Sequence, residues 1–185
     1  MKKLLLLCFM SLFFSVAHAQ SQSENQQVDY PVSDGQSLRF AIPSNWEVRA
    51  NPQPYELRFS SANPETVTGI FVYKKEDLAE ESTPNALLER QIEVFKSKIK
   101  NFKVVEDKQT VTRNFKALAD SKVITSALYV GDFEASRYYY YFTLIEPAYN
   151  KDVFLLSVQF ASPSDWKKMK PVLDAVTLST QLVDK

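Results

Sequence analysis

The chain of 185 residues carries 22 basic and 22 acidic side chains, and 45% of it is apolar. That length and composition suit one domain with a proper core and exclude wholesale disorder. A single His and a single Cys occur, His18 and Cys8, and both fall in an N-terminal stretch with the character of a leader.

The leader runs Met1-Lys2-Lys3, then a nearly unbroken apolar segment from Leu4 to Val16, then Ala17-His18-Ala19 before Gln20. A basic start, an apolar middle and small residues at the cleavage site describe a secretory signal peptide over 1–19. The apolar run is short for a membrane span. Bulky Leu7 before Cys8 argues against cleavage at a lipidated cysteine. The exported chain then lacks His and Cys altogether, which removes Ser-His-Asp and Cys-His catalysis, disulfides and zinc sites of imidazole or thiolate. Loss of Lys2 and Lys3 brings the charge to 20 minus 22, or −2. That balance offers no footprint for nucleic acid. A periplasmic monomer with no cofactor and no transmembrane segment is expected.

Residues 20–36 are polar and poor in apolar side chains, which predicts a flexible tail. A single folded domain is expected over 37–183. Leu38, Phe40 and Ile42 alternate with Arg39 and Ala41 and predict a strand ending at Pro43. Tyr55, Leu57 and Phe59 predict a second strand, and Val67 to Lys74 a third. A helix follows, with Thr83 as cap and Pro84 at its first position. Leu88, Ile92, Phe95 and Ile99 make its apolar stripe. Glu76, Asp77, Glu80 and Glu81 before it, and Lys96, Lys98 and Lys100 at its end, complement the helix dipole.

Phe102 to Val105, Gln109 to Thr112 and Lys122 to Val130 predict further strands, with a turn at Gly131-Asp132. In Arg137 to Glu146 the even positions Tyr138, Tyr140, Phe142 and Leu144 form one apolar face. Phe154, Leu156, Val158 and Phe160 do the same in Asp152 to Ala161, and the short spacer between the two segments suits a hairpin. A last helix begins near Ser162, Pro163 and Asp165. Trp166, Met169, Leu173 and Val176 form its stripe, and Pro171 should kink or break it. Successive strands with short connections and two helices predict an α+β domain, an antiparallel sheet of about six to seven strands flanked by helices.

This pattern resembles the PsbP-like superfamily, which includes the thylakoid PsbP proteins, Mog-type proteins and DcrB-type periplasmic proteins. The resemblance rests on a strand closing on Pro-x-x-Trp (Pro43 to Trp46), one helix after the third strand, and an aromatic hairpin. A C-terminal helix with a serine near its end, over Asp174 to Ser179, completes it. It covers Ser37 to Leu182. It implies an α/β/α sandwich and a non-enzymatic role in binding or assembling other proteins, and it carries over no active site.

Little in the sequence marks chemistry. Gly35, Gly69 and Gly131 are scattered and draw no phosphate-binding loop. Ser97 to Lys100 and Ser164 to Lys167 match Ser-x-x-Lys without its partner motifs. The acidic cluster before the first helix lacks a calcium-loop pattern. Carboxylate pairs of a glycosidase need no His, so a carboxylate-dependent cell-wall hydrolase stays open as a reading. Three aromatic residues are candidate binding positions. Tyr139 and Tyr141 face away from the apolar side of the hairpin, where either a second helix covers them or they form an exposed platform. Trp46 serves either as a core plug beneath a turn or as a contact residue. The leading expectation is an unknown envelope protein as partner. A small-molecule or lipid ligand in a cleft beside the Tyr-rich hairpin is the alternative.

Overall fold

The computed structural model describes residues 25–31, 35–51, 56–62, 65–74, 76, 83–115, 120–147 and 153–184. The leader expected over 1–19, together with Asp77, Glu80 and Glu81, lies outside these described residues. Ten strands and two helices follow in the order β1 (Asn25–Pro31), β2 (Gln36–Pro43), β3 (Glu47–Asn51), β4 (Glu56–Ala62), β5 (Glu65–Lys74), α1 (Pro84–Lys98), β6 (Lys100–Phe115), β7 (Asp120–Phe133), β8 (Ser136–Pro147), β9 (Val153–Ala161), α2 (Pro163–Ser179) and β10 (Gln181–Asp184). Seven of the strands form an antiparallel sheet ordered β3-β4-β5-β9-β8-β7-β6, and β1-β2-β10 form a second antiparallel sheet of three. The fold is therefore α+β, a central antiparallel sheet flanked by helices.

Strand periodicity of two gives the large sheet two faces, each with its own core. On one face α1 lays Leu88 and Ile92 over Phe142, Leu144, Phe154 and Leu156. On the other, Met169, Leu173 and Val176 of α2 pack with Leu38, Phe40 and Ile42 of β2 against Phe59, Ile70, Ile145 and Leu155. Both helices start as the sequence predicts. The Thr83 hydroxyl accepts from the Ala86 amide at 3.2 Å, and the Ser162 hydroxyl accepts from the Asp165 amide at 3.2 Å. Each cap precedes a proline at the first helical position, so donors that lack an intrahelical partner are either absent or satisfied.

Four expectations are corrected. Asn25–Pro31 is not part of a flexible tail but a strand paired with β2. Its polar composition reflects an outer strand with one wet face, on which only Tyr30 is buried. Asp29 takes a two-pronged contact from the Arg39 guanidinium at 2.8 Å. Gln26 donates from Nε2 to the Trp46 carbonyl at 3.0 Å.

The two short strands expected within 102–112 are one strand, β6. Register irregularities between Lys100 and Gln109 interrupt its pairing with β7, and these bulges make a continuous edge read as two pieces. Val104, Val105 and Val111 are exposed along this edge. Bulges and the charges of Lys103, Glu106, Asp107 and Lys108 are the devices that discourage edge-to-edge association.

No turn occurs at Gly131-Asp132. Gly131 lies inside β7, and a Cβ there would collide with the Ile99 side chain. Glycine serves close approach at this position, and the chain reverses at Glu134-Ala135, where Glu134 has φ 52°.

Pro171 does not break α2, which runs unbroken through it. It occupies the solvent side, as does Lys167, so water can satisfy the carbonyl that proline leaves without a partner. Strands β3 and β10 lie beyond what alternation in the sequence predicts.

Candidate functional site: an aromatic cleft between the first helix and the tyrosine hairpin

A cleft of about 480 Å³ opens between the second half of α1 and the β7–β8 hairpin. Gln91, Val94, Phe95, Lys98 and Ile99 form its helical wall. They share one side of α1 because residues three and four apart lie above one another. Tyr138 and Tyr140 of β8 and Phe160 of β9 form the floor, and Phe133, Glu134, Ser136 and Glu65 form the lip. Strand alternation aims Tyr138 and Tyr140 to the same side as Phe142. Phe95 continues the helix cover over Phe142 and the edge of Tyr140, and the cleft opens between it and the hairpin tip.

The rings meet edge to face. Phe95 contacts Tyr140 at 5.7 Å and 68°, and Tyr138 contacts Phe160 at 5.6 Å and 72°. The mouth is apolar, with Val94 37% and Phe133 51% exposed. Carboxylates of Glu65 and Glu134 and the ammonium of Lys98 line it, and Glu65 accepts a hydrogen bond from the Tyr138 hydroxyl at 3.2 Å. Tyr140 is buried and its hydroxyl has no hydrogen-bond partner. Both glutamates are exposed, which suits a polar rim for binding better than the water-excluded setting of a general acid.

Burial, and then the neighbouring Tyr138 and Asp132, push the Tyr140 phenol up to about 12. An unfolded tyrosine ionises near about 10. The hydroxyl therefore stays protonated in the fold when it would ionise in the unfolded chain. The linked stability is complete below the unfolded value and is lost as pH rises through the folded one. Ultraviolet titration is expected to show a phenol that ionises only at about 12 and is absent in Tyr140→Phe. An identical titration of the two proteins would show that Tyr140 is solvated.

The sequence candidates lie elsewhere. Tyr139 and Tyr141 face the α2 side, where Trp166 packs on both, at 5.3 Å and 5.9 Å. Tyr141 is 8% exposed, and Lys170 Nζ lies 5.0 Å from its ring centroid. The second helix therefore buries Tyr141, while Tyr139 stays half-buried beside Trp166. Trp46 is 6% exposed within the core beneath β1 and β2, the position of a plug beneath a turn. Tyr138, expected inside the core with Tyr140, is only half-buried and opens onto the cleft. Sequence reasoning missed Val94, Phe133 and Glu65. The one signal for them was a hairpin aromatic face that extends past the helix stripe meant to cover it.

A second polar feature sits under α2. Thr68, Gln159, Ser157 and Thr143 are wholly buried and adjacent across β5, β9 and β8. Gln159 Nε2 donates to the Leu173 carbonyl at 3.2 Å and to Thr177 Oγ1 at 3.1 Å. The hydroxyls of Thr68, Thr143 and Ser157 and the Gln159 carbonyl oxygen have no partner. A buried polar atom without a partner destabilises by roughly 1–3 kcal/mol. Thr143→Val keeps the shape and removes the hydroxyl, so urea unfolding is expected to show stability raised by about 1 kcal/mol. A loss of stability in that variant would mean that the hydroxyl is satisfied.

Among the described residues no group of three or more His, Cys, Asp and Glu could hold a metal ion. No helix among them is long and apolar enough to cross a membrane.

This architecture, a seven-stranded antiparallel sheet between helices, is the PsbP-like fold. The chain is similar to cyanobacterial PsbP (CyanoP) from Synechocystis sp. PCC 6803, at 10% identity and a TM-score of 0.59, covering 92% of this chain and 99% of that one. It is also similar to LpqN, involved in cell envelope biogenesis of Mycobacterium tuberculosis, at 12% identity and a TM-score of 0.59, covering 86% and 91%. No family model matches the sequence, and no curated protein matches it at a significant level. At these identities the likeness is one of fold.

Proposed function

We propose that this chain is an exported, non-enzymatic periplasmic protein that binds another envelope protein and helps to assemble it. The aromatic cleft is its binding site. The observation that carries this reading is the apolar mouth, where exposed Val94 and Phe133 stand over a floor of aromatic rings. Aromatic anchors ringed by a few polar groups are the usual make-up of a binding hot spot. The leader over 1–19 supports export, and an envelope role accords with that of LpqN, a protein of similar fold.

The cleft volume also falls within the roughly 300–1,000 Å³ of small-molecule sites, which favours an apolar ligand as the second reading. Site-specific photo-cross-linking from position 94 in intact cells separates the two. The expected result is one specific envelope protein bound to the probe at Val94 and absent when the probe replaces exposed Val111. Recovery of lipid without a specific protein would overturn the leading reading in favour of the second.

A further inference from the structure

We propose that the cleft receives the guanidinium of an arginine side chain of the bound envelope protein, held between aromatic rings and the carboxylates of Glu65 and Glu134. This rests on the reading of the cleft as a protein-binding site and specifies what the partner inserts there.

Two observations converge on that chemistry. Phe95, Phe133, Tyr138, Tyr140 and Phe160 line one cleft, an unusual concentration of aromatic rings at one site. Cations bind ring faces, and guanidinium, planar and weakly hydrated, stacks on them best among protein cations. The charge of the lining is two carboxylates against one ammonium, Glu65 and Glu134 against Lys98, a net −1. That sign favours a cation. Guanidinium carries five N–H donors in a fixed fork. Those donors can meet a carboxylate at the lip. A quaternary ammonium has no donor to offer those carboxylates. The ammonium of a lysine is held more tightly by water.

The experiment titrates the purified protein with acetyl-Gly-Arg-Gly-amide, its citrulline counterpart and choline chloride, following amide shifts of the cleft residues by NMR. Citrulline keeps the shape of arginine and removes its charge. The arginine peptide is expected to shift Val94, Phe95 and Tyr140 and to saturate. The citrulline peptide should bind about tenfold more weakly. Glu65→Gln with Glu134→Gln should weaken the arginine peptide to a similar degree, and both sites are exposed, so this variant is expected to fold, which its amide spectrum checks. Equal binding of arginine and citrulline, or no shift with either, would overturn the proposal. Choline shifting the same residues as strongly would also overturn it and identify a headgroup-like cation instead. A specific protein cross-linked at position 94 that the arginine peptide fails to displace would overturn the arginine assignment alone. Recovery of lipid only would overturn the reading beneath it.

Discussion

Phe142→Ala is expected to destabilise the protein by about 3–5 kcal/mol and to disable the cleft. Phe142 is completely buried, and rings from three elements stand on it nearly at right angles. These are Phe95 at 5.2 Å and 87°, Phe102 at 6.4 Å and 89°, and Tyr129 at 5.7 Å and 90°. Truncation removes the transfer free energy of the ring, leaves a cavity, and forfeits edge-to-face contacts of about 0.5–1.5 kcal/mol each. Phe95 is also a wall of the cleft. Loss of its support lets the second half of α1 shift over Tyr140. Urea unfolding reads the first effect, and cross-linking from position 94 reads the second at a temperature where the variant is still folded. A loss below about 1 kcal/mol would show that the surrounding rings collapse onto the gap.

Trp46→Ala carries a similar energetic effect and the opposite functional one. Trp46 is 6% exposed and packs in the core that joins β2 and α2 to the sheet. Its removal is expected to destabilise by about 3–5 kcal/mol. The Gln26 contact goes to the backbone carbonyl of Trp46 and survives the change. The cleft lies across the sheet among side chains of the other face, and distant sites add nearly independently. Cross-linking yield from position 94 should therefore match the unmodified protein under folded conditions. A selective loss of partner capture with stability intact would restore Trp46 as a contact residue. The pair of variants thus separates a core plug from a residue that supports the cleft wall.

What was legible in the sequence was mostly local. Thr83-Pro84 and Ser162-Pro163 mark the helix starts because capping involves residues within one turn. Tyr138, Tyr140, Phe142 and Leu144 identify a strand face because alternation needs no partner. Which face stays open is a different matter. Tyr139 and Tyr141 form the face that alternation leaves unassigned, yet Trp166 packs on both from a helix more than twenty residues away in the chain, burying Tyr141 and half-burying Tyr139. The covering helix on the Tyr138 side ends its apolar stripe before the hairpin tip, and nothing local announces that shortfall. Gly131 carries an ordinary turn signal and lies in a strand because Ile99 comes too close for any side chain. The polar stretch before β2 hides a strand because β1 is half solvated and bonds through its backbone.

By itself the sequence determined the α+β class, the two capped helices, the aromatic hairpin, and the confinement of His18 and Cys8 to the first nineteen residues. Each of these is a matter of composition, short-range periodicity or local hydrogen bonding. Only the tertiary structure decided that β1 joins a three-stranded sheet, that α2 buries Tyr141, and that α1 leaves Tyr140 at the base of a cleft. Those outcomes depend on which surfaces meet across long stretches of chain. Packing between distant elements selects among faces that local chemistry makes equally available.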